Sequence, residues 1–456
     1  MTVSDNMAII AAKLSARAIR VLGAGLGSNL PGRVARSFSP SVLASLSRQR
    51  RRGVLAVTGT NGKSTTAGLL YSIMRRAGLK TVHNRQGANL VTGITATLID
   101  AADWSGRLDT DYCLFEVDEA SLPLVAGEVE ISAVLVTNLF RDQLDRFGEL
   151  DTTAELIRKG MAVHNSYAIL NADDPNVAQL APESPKIFYG IESLAAGAGD
   201  GAPRGAVELS YCARCGAEYN YSQVFYGQLG HYSCSQCGYS RPEPAVRVWN
   251  VSLTATGSTF MFSAGDEPLR VNLSLPGLFN VYNAVAAAAV AHWLGIASVT
   301  IEQGINHYTT LFGRSERLRV KDRSVLIQLI KNPAGASQVV ASLVQDKNAR
   351  VLIAINDNLA DGRDVSWLWD AEFELLAGQV REIVVSGQRA YDMAVRLKYA
   401  GLPARQINAI PQLEKALNYG IASTAGDETL WILPTYTCLL ELQKILKSLG
   451  YTLSGT

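Results

Sequence analysis

Charge is scarce and balanced in this 456-residue chain. Lys and Arg total 42 against 41 Asp and Glu, a net of +1, and charged residues make up only 18%. Such a balance argues against a general electrostatic grip on nucleic acid, while leaving local basic patches open. Long apolar runs are also missing. No uninterrupted stretch approaches about 18 residues, so a membrane-spanning helix is not expected. Asp5, Lys13, Arg17 and Arg20 break up the region where a secretory signal would need a clean apolar run. Cysteine is sparse at six. Cys113 and Cys438 lie in apolar runs and read as small buried hydrophobes. A soluble cytosolic protein is expected. Apolar residues at 48% suffice for packed cores, and at ~150 residues per domain the length allows two or three domains.

The periodicity predicts an amphipathic helix over the first ~25 residues, then a Gly- and Pro-containing loop, then Arg48, Arg50, Arg51 and Arg52. That basic run suits a phosphate or an anionic membrane surface, or simply a solvated face ahead of a strand. From Gly53, buried-strand candidates alternate with helical stretches: Val54–Thr58, a helix from Lys63 to Ala77, then Tyr112–Val117, Ala133–Thr137 and Ala168–Asn171. This is the pattern of a parallel sheet covered by helices. Ala195–Gly205 is loop-like and leads into four clustered cysteines. Val246–Leu253, Thr259–Ser263 and Leu269–Leu275 read as strands, with a hairpin at Gly265-Asp266. An Ala-rich helix is expected from Asn280 to about Leu294. Past Phe312-Gly313 the alternation restarts with Val325–Ile330, Val351–Ile355, Glu382–Ser386 and Leu430–Leu433. The expected division is 1–52, an N-terminal helix and linker; 53–312, a central domain with an insertion at about 206–245; and 313–456, a second α/β domain.

Thr58-Gly59-Thr60-Asn61-Gly62-Lys63-Ser64-Thr65-Thr66 follows a strand and opens a helix. Glycines let the backbone wrap a phosphate, and the helix N-terminus turns its free N–H groups toward it. Lys63 supplies charge at the β/γ-phosphates and Ser64 a hydroxyl for Mg²⁺, so a nucleoside triphosphate is the expected ligand. Val57 stands where the common form of this loop has its first glycine.

The segment Gly59–Thr65 resembles the phosphate loop of the Mur ligases and folylpolyglutamate synthases, which join amines to carboxylates with ATP. Phe115-Glu116-Val117-Asp118-Glu119 resembles the family's Mg²⁺-binding strand end. Thr137-Asn138-Leu139-Phe140-Arg141-Asp142-Gln143-Leu144-Asp145 is similar to its Thr-Asn-x-x-x-Asp-His-Leu-Asp segment, with Gln143 in place of the usual metal-binding His. Asn171-Ala172-Asp173-Asp174-Pro175 is similar to another of its strand ends. Gly277-Leu278-Phe279-Asn280-Val281-Tyr282-Asn283-Ala284 resembles a helix start whose second Asn meets adenine, which implies that role for Asn283. Gly313-Arg314-Ser315-Glu316 resembles the Gly-Arg-x-Glu of its domain junction. The ordered set covers about residues 54–316. Carboxylate activation by ATP needs a phosphate cradle, a metal carboxylate such as Glu116, and a cation such as Arg314 to offset developing charge. Asp118 and Glu119 remain open as alternatives for the metal, and a solvated strand end is the plain reading of all three. For Asn280 a helix N-cap is the simpler role.

Cys212-x-x-Cys215 and Cys234-x-x-Cys237, separated by eighteen residues, form a zinc-ribbon pattern. Four thiolates on two tight knuckles close the tetrahedron, so the site is expected to be structural. Tyr219, Tyr221, Phe225 and Tyr226 lie between the pairs with no Lys or Arg, poor equipment for nucleic acid. The 57 residues before Thr58 are too few for the domain with which most Mur ligases hold a UDP-linked substrate.

A short N-terminus, the ribbon, and the segments Ile330–Ala336, Ile355–Trp367 and Leu433–Thr437 together resemble the MurT family of synthetase subunits. That resemblance implies a Mur ligase-type central domain with an inserted ribbon, followed by a Rossmann-like α/β domain. It further implies ATP- and glutamine-dependent amidation of the D-glutamate α-carboxyl of lipid II at the inner membrane face, with ATP, Mg²⁺ and structural Zn²⁺, beside a GatD-like glutaminase subunit in a heterodimer. A partner is also expected from the residues. A glutaminase needs an activated Cys near a His, and His83, His164, His231, His292 and His307 cluster with neither Cys113 nor Cys438. The Asp361–Asp364 loop offers carboxylates able to orient a histidine on another chain. By the resemblance, Asp364 completes the glutaminase Cys–His pair; the plain alternative is helix capping before Trp367. The rival functions are a folylpolyglutamate synthase-like ligase and a zinc-ribbon nucleic-acid-binding ATPase.

Overall fold

All six residues of strand β1, Gly53–Thr58, are buried. A strand written almost wholly in apolar residues sits mid-sheet with both faces covered. In the computed structural model, which describes residues 1–21, 29–84, 88–140, 150–181, 183–195, 211–309, 314–347 and 349–451, β1 lies between β3, Tyr112–Glu116, and β4, Ala133–Val136, parallel to both. The sheet continues outward through β2, Thr81–His83, on one side. On the other side follow β5, Tyr167–Asn171, β6, Lys186–Ile191, and the antiparallel set β9, Val246–Thr254, β10, Gly257–Ser263, and β11, Leu269–Leu273. The order of its nine strands is β11-β10-β9-β6-β5-β4-β1-β3-β2. The Gly265-Asp266 hairpin joins β10 to β11, with Gly265 at φ +95°.

Alternate residues of β1 serve opposite layers. Leu55 and Val57 pack with the helices Lys63–Arg76, Leu278–Trp293 and Ser298–Asn306. Val54 and Ala56 pack with Ile94 and Leu98 and with the segment that precedes β1. That segment, expected as one helix and a linker, carries three helices, Val3–Val21, Leu30–Phe38 and Val42–Ser47, which bury Ala8, Ile9, Ala12, Ala35, Leu43 and Leu46 on the sheet. Two members of the basic run are paired: Arg50 with Glu130 and Arg51 with Asp109 and Asp111. Arg52 lies over the Tyr112 ring.

A two-stranded ribbon, β7, Asn220–Tyr226, and β8, Leu229–Ser233, stands out from the large sheet. Its outer end forms a small core of Cys212, Tyr219, Tyr232, Cys234 and Tyr239. Its inner end, Phe225, Tyr226 and Leu229, belongs to the main core. The second sheet has the order β12-β13-β17-β14-β15-β16, with β12, Arg314–Val320, β13, Arg323–Gln328, β14, Ala349–Ala354, β15, Ile383–Ser386, β16, Ile407–Ala409, and β17, Thr429–Pro434. All its pairings are parallel except β12 with β13. Apolar clusters cover both of its faces.

Candidate active site

The phosphate loop runs from β1 to the helix Lys63–Arg76 through two glycines at positive φ, Gly59 at +116° and Gly62 at +87°. A Cβ on Gly62 would come within 2.0 Å of Asn283 Oδ1, so no other residue fits there. The loop is held from outside. Thr60 N–H donates to Asn138 O and Asn61 N–H to Asn138 Oδ1, both at 2.9 Å. Thr137 Oγ1 and Asn138 Nδ2 donate to Asn61 O at 2.8 and 3.1 Å. Thr137 and Asn138, quoted above only as part of a motif, are therefore the scaffold of the loop. Gly62 caps the helix with no side-chain bond, which leaves the first-turn N–H groups at Lys63, Ser64 and Thr65 for an anion.

The acidic strand end is buried rather than solvated: Glu116, Asp118 and Glu119 are all buried. Their tasks differ. Ser64 Oγ donates to Glu116 Oε2 at 2.6 Å. Lys63 Nζ donates to Glu119 Oε1 at 2.8 Å and to Gly59 O at 2.6 Å. Asp118 Oδ1 accepts the Ala120 N–H at 3.1 Å. Burial pushes the Lys63 ammonium down, but Glu119, with Glu116 and Asp118 behind it, holds it above its ordinary value. Lys63 is therefore a fixed positive charge beside the loop. The Ser64 hydroxyl and the Glu116 carboxylate are two hard oxygen donors at the loop's edge, a set that fits Mg²⁺. Asn84 fixes Glu116 in place, exchanging two bonds of 2.8 Å with its backbone. Sequence reasoning missed this residue, and no local signal marks it.

Asn280 is not the N-cap. The helix begins at Leu278 with Gly277 as its cap, and Asn280 Nδ2 donates back to Pro276 O at 2.8 Å. Asn283 is buried and turned toward the loop. Its Oδ1 accepts Thr66 Oγ1–H and its Nδ2 donates to Asn280 Oδ1, each at 3.2 Å. Arg314 opens β12, its backbone paired with Gln328, and a register shift and Ser315 at φ +63° follow at once. Gln143 and its neighbours Arg141 to Asp145, like Phe312-Gly313, lie outside the described residues.

The second sheet reaches the same loop. Asn332 caps the helix Pro333–Leu343 by accepting the Gly335 N–H at 2.9 Å. Its amide pairs with that of Asn61: Asn332 Nδ2 donates at 2.9 Å and Asn61 Nδ2 returns a bond at 3.3 Å. Lys331 Nζ donates to Thr60 O at 3.1 Å.

Three carboxylates lie in the 357–364 loop, and two are committed. Asp357 pairs with Arg389 at 2.6 Å. Asp361 is buried and accepts both the N–H and the hydroxyl of Thr437. Asp364 is half-buried and, among the described residues, accepts only from Ser366, whose N–H lies at 2.8 Å. Those bonds hold its carboxyl below the usual carboxylate range, so it is ionised and presented at the surface. Burial pushes the thiols of Cys113 and Cys438 up to about 12, which makes neither a nucleophile.

The four ribbon sulfurs lie within 4.8 Å of one another, with Cys212–Cys237 at 3.7 Å and Cys215–Cys234 at 3.5 Å. Tetrahedral zinc with Zn–S near 2.3 Å places its sulfurs about 3.8 Å apart, so the donor set fits. The Ala217 N–H lowers Cys215, but desolvation and the three neighbouring sulfurs push it up to about 12. A bound cation would relieve that crowding.

The ribbon's turn meets Leu139 and Phe140, the segment that braces the phosphate loop. Gln228, fully buried between β7 and β8, donates from Nε2 to Leu139 O at 2.7 Å and meets Asp174 Oδ2 at 3.4 Å. Leu139 N–H donates to the same Asp174 oxygen at 2.9 Å. Phe140 stacks on Tyr226 with ring centres 5.6 Å apart, and its N–H donates to Thr60 Oγ1 at 3.1 Å.

Two family models match the chain: the Mur ligase middle domain over residues 57–210 and the MurT ligase C-terminal over residues 329–439. Among curated relatives, a Staphylococcus aureus protein named lipid II isoglutaminyl synthase (glutamine-hydrolyzing) subunit MurT is 36% identical over 440 residues, 95% of this chain and 96% of its own. Its Streptococcus pneumoniae namesake is 33% identical over 435 residues, 93% of each chain. Among solved structures, a pseudomurein peptide ligase type C from Methanothermus fervidus superposes with TM-score 0.67 at 22% identity, covering 88% of this chain and 79% of that one. MurF from Acinetobacter baumannii gives 0.64 at 18%, covering 91% and 80%. These two carry the fold.

Proposed function

Because the chain belongs to the MurT family and has the Mur ligase fold, we propose that it is the synthetase subunit of a glutamine-hydrolysing lipid II isoglutaminyl synthase. It activates the α-carboxyl of D-glutamate in the stem peptide with ATP and amidates it. The observation that carries the ligase half is the convergence of Lys63, Ser64, Glu116 and Glu119 on one phosphate loop. Relatives matched over nearly their full length weigh against the folylpolyglutamate synthase-like and nucleic-acid-binding alternatives. So does a ribbon whose Tyr219, Phe225, Tyr226, Tyr232 and Tyr239 are spent in cores.

Gly59, Thr60, Asn61, Gly62 and Thr65 line the loop that would cradle the phosphates, with Lys63 and Arg314 offsetting charge at the γ-phosphoryl. Asn283, beneath Gly62, would back the nucleotide. Ser64 and Glu116 would hold Mg²⁺, which supplies Lewis-acid stabilisation of the phosphate oxygens. A carboxylate oxygen of the substrate attacks the γ-phosphorus, and ADP leaves. Ammonia then attacks the carbonyl carbon of the acyl phosphate, phosphate departs, and a proton is lost from nitrogen to give the amide. Cys212, Cys215, Cys234 and Cys237 would hold a structural Zn²⁺ away from this chemistry.

Cys113 and Cys438 are buried with thiols pushed up to about 12, and the other four cysteines are gathered in the ribbon, so the ammonia comes from a second subunit, a GatD-like glutaminase docking on the C-terminal domain. Asp364 is the carboxylate left to orient its histidine. No described helix is long and apolar enough to cross a membrane, and the lipid-linked substrate brings the complex to the inner membrane face. Asp364→Asn in the complex should abolish glutamine-driven amidation of lipid II, while ADP binding persists and ammonium at high concentration restores product. If the variant hydrolyses glutamine normally, Asp364 has no part in the mechanism. If the wild-type complex leaves lipid II unmodified with either nitrogen source, the substrate is wrong.

A further inference from the structure

The helix Val3–Val21 is apolar on two opposite sides. Asp5, Ala8, Ile9 and Ala12 are fully buried on the inward side. Facing away, Val3, Met7, Ile10 and Leu14 are 78%, 56%, 42% and 55% exposed. Spacings of four, three and four residues keep these side chains in a single stripe. Solvated helices do not ordinarily present four aligned large apolar side chains, and such a patch marks an interaction surface.

Cations and one aromatic ring border the stripe. Arg17 and Lys13 lie over Trp104, which is itself exposed, at 4.6 and 5.6 Å from the ring centre. Beside them an open cavity of about 450 Å³ is lined by Met1 and Asn6 from the start of the chain and by Arg48, Ser105 and Arg107. The side chains of Arg48 and Arg107 both stand at the surface there. Of the acids nearby, Asp103 beside Trp104 is exposed and Asp5 is not. Asp5, the only acid on the helix, is buried and bonded to Ser39 and Ser45. Asp103 spends an oxygen on the N–H groups of Ser105 and Arg107.

We propose that this face docks the chain on an anionic lipid surface. The stripe enters the acyl boundary, Trp104 with Lys13 and Arg17 sits at head-group level, and Arg48 and Arg107 meet lipid phosphates. An apolar face with flanking cations and an interfacial Trp is what such a surface selects. A second copy of the chain is a poorer occupant, because stripe against stripe would bring Lys13 and Arg17 toward their own kind with no exposed acid on the helix to offset them. The inference rests on the lipid-linked substrate for its purpose but not for its test.

The test is co-sedimentation of the full chain with vesicles of phosphatidylcholine containing phosphatidylglycerol, and with vesicles of phosphatidylcholine alone. Binding should be at least ~tenfold tighter with the anionic lipid and should weaken with salt. Met7→Glu with Ile10→Glu should reduce it at least ~tenfold, and Val3→Glu with Leu14→Glu likewise, without changing the melting temperature, since these side chains already face water. The proposal is overturned by an absence of binding to anionic vesicles, or by charge variants that bind as the wild type does. A lipid-free dimer that Met7→Glu with Ile10→Glu dissolves would also overturn it and assign the stripe to a second copy. Vesicle binding without amidation of lipid II would keep this surface and remove the substrate reading; amidation in detergent by a chain that ignores vesicles would do the reverse.

Discussion

Lys63 shows how far one residue can be read before its surroundings are known. A lysine after Gly62 at the start of a helix already implies a phosphate partner. The structure adds that its ammonium is bonded to Glu119 and to the loop's own Gly59 carbonyl. The charge is thus held in place before any ligand arrives, so little reorganisation is needed at the moment of transfer. Lys63→Ala should lower amidation about a thousandfold or more, and equally with glutamine or ammonium as nitrogen source. That equality, read in parallel product assays, separates it from Asp364→Asn, which ammonium rescues. A Lys63→Ala complex that loses only the glutamine reaction would remove Lys63 from phosphoryl transfer. Asn283 makes the complementary point. Its position in a motif was legible, but the direction of its amide, toward Gly62 and Thr66, was not.

Among elements, the ribbon is the one whose role changes most once packing is known. Its four cysteines suggest a self-contained zinc unit, and Cys237→Ser should lower the melting temperature before it lowers turnover. Metal analysis of the reduced wild-type chain should return about one zinc per chain. Yet the ribbon's turn also abuts Leu139 and Phe140, which brace the phosphate loop through Thr60. Gln228→Leu deletes the donor to Leu139 O and leaves a buried carbonyl unpaired, at a cost of about 1–3 kcal/mol. Part of that is offset, because the change also removes Gln228 Oε1, itself buried with no partner among the described residues. Melting temperature should fall, and titration should show ADP binding weakened roughly tenfold. A variant that melts early but binds ADP normally would show that the ribbon stabilises without positioning the loop. Among the strands not expected from the sequence are three at sheet edges, β2, β12 and β16, and one inside the large sheet, β6. β2 and β16 have three residues each, and β12 is polar over Arg314–Arg317 with only Leu318 and Val320 apolar, so none of these three makes the continuous apolar run that announced β1, β3 and β4.

For the whole molecule, the N-terminal helices close one face of the large sheet, and Asp5 is their anchor. Burial raises its carboxyl, but the Ser39 hydroxyl at 2.6 Å, the Thr2 N–H and the Ser45 hydroxyl outweigh that and hold it at about 2. The folded chain therefore binds fewer protons at this site than the unfolded chain between about pH 4 and pH 2. The stabilisation is full above that window and is lost as pH falls through it. Its size at neutral pH is about 2 kcal/mol. Asp5→Asn should melt a few degrees lower than the wild type at pH 7, and the gap should close as pH falls from about 4 to about 2. A gap that persists unchanged at the acid end would mean that Asp5 acts through shape and not through charge.

Contiguous features were legible in the chain alone: the phosphate loop, the paired cysteines, the order of the strand-end motifs and the βα alternation in both halves. Each of these is a property of a few neighbouring residues and their backbone preferences, so a local pattern suffices to specify it. Long-range packing set which of these pieces meet. Ser64 finds Glu116 across 52 residues, Gln228 finds Leu139 across 89, and Asn61 finds Asn332 across 271. It also decided that Asp357 and Asp361 are occupied while Asp364 is left at the surface. A side chain's partner is set by how distant segments pack around shared cores, and that packing is written in no single stretch of the chain.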